Sequence, residues 1–407
     1  MNNIAVYTLT SPLHDEKAVA AVTCDFLGSL NIDYEYKGAD FTDYGTSPLS
    51  LIFVRTGGTE GLFSQLMPSL LHKAAGRPIY LLASGKSNSL AASMEILSYL
   101  SQQGISGEII HGSTAYITGR ITQLERVGNA LKALNGCRLG IIGQPSDWLI
   151  SSHADHQKVL QHAGIELVDI PMSELLETIE TIPEPTSSEQ SPLACVNAAL
   201  PGAERIYLAL RLLVQRHRLE GFTLRCFDLL STVKNTGCLA LARLNAEGIV
   251  AGCEGDVPAM LTMKLSLALT GSTGFQCNPS AINPDNGELL FAHCTIPFNM
   301  IEHYELDTHF ESGIGVGIRG TVKEGPVTIF KASGDLQRHF IAEGELIKNQ
   351  HESDLCRTQL VVRLTDPSLA AYFLTAPIGN HHIILKGRQS ALLTEACHII
   401  APPCVRQ

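Results

Sequence analysis

The chain has 407 residues, too many for one ordinary core, and its 45% apolar content with slightly positive mean hydropathy argues against disorder. Lysine and arginine number 29 against 40 acidic residues, and the net charge of −11 has the wrong sign for a nucleic-acid binder that neutralises phosphates. The eleven cysteines are odd in number and lack any CxxC pair, which argues against a disulfide frame or a zinc ribbon.

The N-terminal segment MNNIAVYTLTSPLHDEK reaches charge too early for a signal-peptide core, and no apolar run approaches the roughly 20 residues that span a bilayer. A cytoplasmic protein with no membrane partner is expected. Strand-like runs at 3–8, 51–56 and 78–83 alternate with helix-like runs at 18–30, 62–74 and 90–103, which predicts parallel strands joined by helical crossovers. Asn135-Gly136 marks a seam, because the pattern restarts at 137–143 and continues with strands at 166–170, 223–229 and 249–253. The segment IPEPTSSEQSP, 182–192, reads as a surface loop inside this second series. From Thr273 the pattern changes to short strands at 289–294, 327–331, 340–347 and 360–364. The expected fold is therefore α/β, with doubly wound domains at 1–135 and 136–272 and a β-rich, barrel-like domain at 273–407.

Two glycine-rich matches fail on context. Gly315–Gly320 fits GxGxxG but runs into a turn and strand, and Ser84-Gly85-Lys86-Ser87 lacks the first glycine of a phosphate loop because Tyr80 stands there. His153 and His156 read as a solvated helix face.

The stretch GCEGD, 252–256, closes an apolar strand and opens a helix, and ligands of open parallel sheets bind beyond such strand ends. An N-cap is the favoured reading of Asp256, whereas Glu254 precedes the cap and is expected to be a solvent-facing carboxylate available for chemistry. Asn278 follows the run 274–277, His293 lies in LLFAHCT, and His381 and His382 head the apolar run 383–385. Successive strand side chains point to opposite faces, so one of these adjacent histidines enters any one site.

CFDLL (226–230), TGCLALARLNAEGIVAGCEGD (236–256), AHCTIP (292–297), HFESGIGVGIRG (309–320), AEGE (342–345), CRTQ (356–359) and NHH (380–382) together resemble the L-fucose isomerase-related family. In the N-terminal half, TGGTEG (56–61), NSLAASMEIL (88–97) and PSDWLIS (145–151) are similar to the same family, which is akin to the L-fucose and L-arabinose isomerases. The resemblance implies two α/β domains, a β-rich third domain, and aldose–ketose isomerisation of a small sugar through an enediol. It also implies a divalent metal, manganese or alternatively magnesium. The ligand set it implies is Glu254, Asn278, His293 and His381, with Glu254 and Asp256 catalytic and Asn88, Trp148 and His382 against the sugar. A homo-oligomer, commonly a hexamer, is implied as well, with TGGTEG and SGKSNS helping to cover a neighbour's cleft. One departure stands out: the family's second acidic residue falls on Asn278, and an amide accepts no proton at neutral pH. A sugar-binding protein without turnover, or a related epimerising or enolising enzyme, is the alternative that this departure opens.

Overall fold

Strand β1 (Ile4–Leu9) is apolar and buried along its whole length, as befits a parallel strand covered by helices on both faces. The computed structural model describes residues 3–74 and 76–401, so Cys404 and the last residues of the expected third domain lie outside the described residues. After β1 come α1 (Glu16–Ser29), β2 (Glu35–Gly38), β3 (Leu49–Val54), α2 (Glu60–Ala74), β4 (Ile79–Ala83), α3 (Ser89–Gln102), β5 (Gly107–Ile110) and α4 (Thr114–Leu134). The sheet is parallel in the order β2-β1-β3-β4-β5. Side-chain parity builds the two cores: Ala5, Tyr7 and Leu9 pack with Phe63 of α2 and Ile96 of α3, while Ile4 and Val6 pack with Leu27 of α1 and Ile121 of α4. This is the expected doubly wound unit, and among the described residues it extends to Lys132.

Ala133–Ala401 form the second compact unit. It opens with β6 (Arg138–Ile142), α5 (His156–Ala163), β7 (Glu166–Ile170), α6 (Met172–Thr181), α7 (Ala194–His217), β8 (Gly221–Leu224), α8 (Asp228–Thr232), α9 (Cys238–Ala246), β9 (Val250–Gly252) and α10 (Val257–Thr270). The four strands are parallel in the order β7-β6-β8-β9. The segment 182–192 joins α6 to α7 within this unit, as its reading as a loop requires. The strand expected at 223–229 stops at Leu224. There Cys226 donates its N–H back to the Leu224 carbonyl, and Arg225 is held by Asp147, Asp228 and the Pro145 carbonyl, so the chain turns into α8.

The same unit continues through β10 (Phe275–Asn283), β11 (Glu288–His293), β12 (His303–Asp307), β13 (Gly317–Thr321), β14 (Gly325–Ala332), β15 (His339–Asn349), β16 (Thr358–Leu364), α11 (Ala370–Thr375), β17 (His382–Lys386) and α12 (Ser390–Ile400). Six of these strands close an antiparallel barrel in the order β10-β11-β16-β15-β14-β17, and β12 pairs with β13 as a separate hairpin that takes up the GxGxxG match. Phe275 and Cys277, Leu289 and Phe291, Val327 and Ile329, and Ile384 fill the barrel core. Continued alternation puts His293, Lys331 and His382 on the same inward stripes, at the mouth where β11 and β14 end and β10 and β17 begin.

Helix α10 is buried from Val257 to Ser266 and packs against β8 and β9 on one side and β14 and β17 on the other. A helix apolar nearly all round belongs inside a protein, and its polar residues are satisfied. Thr262 donates to the Pro258 carbonyl and accepts from the Ala332 N–H, and Lys264 bonds Glu220 at 2.7 Å. The sharp turn between β9 and α10 uses two left-handed residues, Glu254 (φ 62°) and Gly255 (φ 71°). A side chain at 255 would place its Cβ 2.4 Å from the Gln144 carbonyl oxygen. Among the described residues, no helix is long and apolar enough to cross a membrane.

The turn yields a stability prediction. Gly248 shares a left-handed φ of 82° but has nothing within 4 Å of its Cβ position. Gly248→Ala is expected to cost about 1 kcal/mol for backbone strain alone, and Gly255→Ala roughly 1–3 kcal/mol more because a rigid carbonyl must move. Thermal unfolding of the two variants measures the difference; equal drops in midpoint would show that the Gln144 contact is not what demands glycine.

Candidate metal centre

Glu254, His293 and His381 arrive from the β9–α10 turn, the end of β11 and the residue before β17, and each is buried. One ligand atom from each lies within 4.8 Å of those of the other two. Glu254 Oε1 stands 3.4 Å from His381 Nε2 and 3.6 Å from His293 Nε2. The other oxygen, Oε2, accepts the indole N–H of Trp148 at 2.7 Å. With only 8% of its surface exposed, Glu254 is not the solvent-facing carboxylate that its strand-end position suggests; the Trp148 loop and the barrel mouth enclose it.

The histidine orientations follow from their second nitrogens. His381 Nδ1 pairs with Asp256 Oδ2 at 2.8 Å, which aims Nε2 at Glu254, and that Nε2 is buried without a hydrogen bond among the described residues. His293 Nδ1 pairs with the Thr295 hydroxyl at 2.9 Å. A carboxylate or hydroxyl fixing the far nitrogen of a histidine is the usual support of a metal-ligating imidazole. Asp256 is fully buried and both its oxygens are engaged: Oδ1 caps α10 through the Ala259 N–H at 2.7 Å, while Oδ2 faces His381, the Ser152 hydroxyl at 3.4 Å and Lys331 Nζ at 3.8 Å. The N-cap reading of Asp256 is thus correct, and the same side chain also fixes the orientation of the His381 ring.

Charge follows geometry. Burial opposes ionisation of Glu254, but the positive charge of His381 and the nearness of both histidine Nε2 atoms outweigh it and hold the carboxyl well below the usual range. Burial likewise opposes a charged His381, yet Glu254 and Asp256 together raise its pKa to about 9. Burial pushes His293 down, with Glu254 only partly compensating.

The remaining expected site residues fall in different places. Asn278 lies on β10 opposite Ala292, and its Oδ1 accepts from Asn380 Nδ2 at 3.0 Å, beside His381 in the chain. His382 turns into the barrel, where Nδ1 meets the Asn380 carbonyl at 2.8 Å and Nε2 the Tyr372 hydroxyl at 3.1 Å, among Phe340 and Phe373. Neither ring nitrogen is left for a sugar hydroxyl. Trp148 is half exposed and packs edge-on against Phe227, which in turn meets His309. Asn88 belongs to the other compact unit, where it precedes α3 with a left-handed φ of 58°. Two residues of the quoted HFES stretch went unremarked in the sequence: burial pushes His309 down to about 4, and partial burial together with the charge of Glu254 raises Glu311.

Three curated relatives carry the same name, sulfoquinovose isomerase. The chain is 20% identical to that of Alkalicoccus urumqiensis over 231 residues, covering 53% of this chain and 52% of the relative. It is 20% identical to that of Priestia megaterium over 228 residues (53% and 51%), and 23% identical to that of Clostridium sp. strain MSTE9 over 215 residues (50% and 47%). The chain thus spans about half the length of the curated relatives it matches. No protein-family model matches it.

The electrostatics predict three separated titrations in the metal-free protein. His381 is expected to stay charged to about pH 9, while burial keeps His309 and His382 neutral down to about 4 and 3. Because the folded value of His381 is raised, its stabilising contribution is fully present below the ordinary value of 6.5 and is lost as pH rises through about 9. Histidine-resolved NMR titration measures this, and a single cluster of midpoints near 6.5 would refute the arrangement.

Proposed function

We propose that the protein is a divalent-metal-dependent aldose–ketose isomerase, an intramolecular oxidoreductase acting on a small open-chain sugar through an enediol. The observation that carries the reading is the buried convergence of Glu254, His293 and His381, each oriented by a second partner. Similarity to sulfoquinovose isomerases over about half the chain supports the reaction class. A carboxylate and two imidazoles suit manganese, whereas magnesium, which takes oxygen ligands, fits this donor set poorly. When bound, the ion supplies positive charge where negative charge develops on the sugar's C1 and C2 oxygens.

The protein's own groups divide the remaining work. Glu254, held strongly acidic and hydrogen-bonded by Trp148, is better suited to ligation than to taking up a proton near neutral pH. Asp256 has no free oxygen and holds His381 in line. Asn278 replaces the acid that the resemblance implies, so we assign the proton transfer between C2 and C1 to Glu311, an exposed residue two positions from His309, whose ring meets Phe227 beside the Trp148 that bonds Glu254. The Glu311 carboxyl is raised by partial burial and by the charge of Glu254. Trp148, with one edge fixed by Glu254, offers its ring face to the sugar. The substrate is an aldose of fucose or arabinose type, or the sulfonated hexose for which the relatives are named, and the working form is a homo-oligomer.

Ketose formation from a panel of L-fucose, L-arabinose and sulfoquinovose with added manganese tests the proposal. Glu311→Gln is expected to lower turnover by about 10²- to 10⁴-fold with manganese affinity intact. Glu254→Gln is expected to lose manganese affinity itself, read by calorimetry. Metal and sugar binding without any ketose would favour the alternative that Asn278 raises, a sugar-binding protein without turnover.

A further inference from the structure

Next to Asp256, which meets its lining residues Ser152 and Lys331, lies a cavity of about 280 Å³ whose walls are the loop after β6, the N-terminus of α10, the loop after β14 and the segment before His381. Lys331 lines it. This lysine ends the inward stripe of β14, is fully buried, and its amine makes no hydrogen bond among the described residues, the Asp256 carboxylate standing 3.8 Å away. An ammonium carries three donors, and leaving all of them unused in a buried position is costly unless a ligand takes them.

The cavity is built rather than incidental. Gly379 leaves a gap in its wall: a Cβ there would sit 3.9 Å from Lys331 Nζ and 3.8 Å from Ser151 Oγ, so both polar atoms face the space that the missing side chain leaves. Gly334 packs so closely on the His153 carbonyl that a Cβ would lie 2.2 Å from it, which fixes the two loops against each other. Arg338 adds a second cation at the rim, and the same loop is held by the Arg338 N–H on Ser333 Oγ. Two carboxylates also line the cavity, but both are already engaged. Asp155 caps α5 through the N–H groups of Gln157 and Lys158, and Asp335 accepts from Ser333 Oγ and the Gln337 N–H.

We propose that this cavity is a second binding site, distinct from the metal centre, for a small tetrahedral oxyanion held by Lys331 and Arg338 with Ser151 as a neutral donor. The shared chemistry is a phosphate group, whether free inorganic phosphate or the ester of a phosphorylated sugar whose hydroxyls meet the two carboxylates. Occupancy would draw Lys331 away from Asp256 and so reach His381 through a single carboxylate.

Calorimetric titration of the full-length protein with inorganic phosphate and, separately, with glucose 6-phosphate tests the site without any activity readout. Saturable binding at about 1 mM or tighter is expected for at least one of them. It should weaken about tenfold or more in both Lys331→Met and Arg338→Ala. Tenfold tighter binding of the ester identifies a sugar phosphate as the ligand, and equal or tighter binding of inorganic phosphate identifies the free ion. Should Lys331→Met fail to fold, the exposed Arg338→Ala decides. No saturable binding up to about 20 mM, or binding unchanged in Arg338→Ala, would overturn the proposal and leave Lys331 as the counter-charge of Asp256.

Discussion

The carboxylate of Asp256 is where the parallel sheet, the buried helix and the barrel meet. One oxygen terminates α10 and the other holds His381, and Lys331 of β14 stands beside it. Because α10 has almost no solvent-facing side, its N-terminus is fixed by packing on two flanks, and whatever its cap touches inherits that rigidity. Strand β9 is tied in similarly: Gln276 of β10 accepts from the Cys253 N–H at 2.9 Å, and Asn245 of α9 exchanges hydrogen bonds with Ala251. A three-residue edge strand would otherwise be a poor platform for a charged residue, and these side-chain amides stand in for the missing neighbour strand.

Much of the architecture was legible because parity and period are local. The alternation of buried strands and helices along the first 270 residues, and its change to short strands after Thr273, follow from which residues repeat every two or every three to four positions. Strand β2, EYKG, escaped the reading because it is a polar sheet edge with no alternation to mark it, whereas α4 does carry a stripe, Ile117, Ile121, Leu124 and Val127, that the reading did not take up. Turn chemistry defeated the reading of 223–229, where an apolar run continues while Arg225 and Asp228 bend the backbone out of the sheet.

The site was legible residue by residue but not as a set of roles. The fold brings Glu254, His293 and His381, each named from the sequence, to one place, yet the enclosure of Glu254 involves Trp148, 106 residues away in sequence. Lys331 ends the run VTIFK and reads as an ordinary strand end; only closure of β14 against β17 and the seating of α10 enclose it. The thiols make the same point. Scattered singly in the sequence, Cys226 and Cys253 lie with their sulfurs 3.1 Å apart, and all ten described cysteines are free.

Trp148 carries a consequence of its own. It is the single tryptophan of the chain, its indole N–H rests on a carboxylate oxygen of Glu254, and its ring remains half exposed. Emission excited at the long-wavelength edge of the near-ultraviolet band, where the ten tyrosines hardly absorb, therefore originates at one spot, at the rim of the candidate centre. The protein carries its own optical probe there, one whose colour and intensity respond to a change in the partner carboxylate or to dehydration of the ring face, with no label attached and no other tryptophan to mask it.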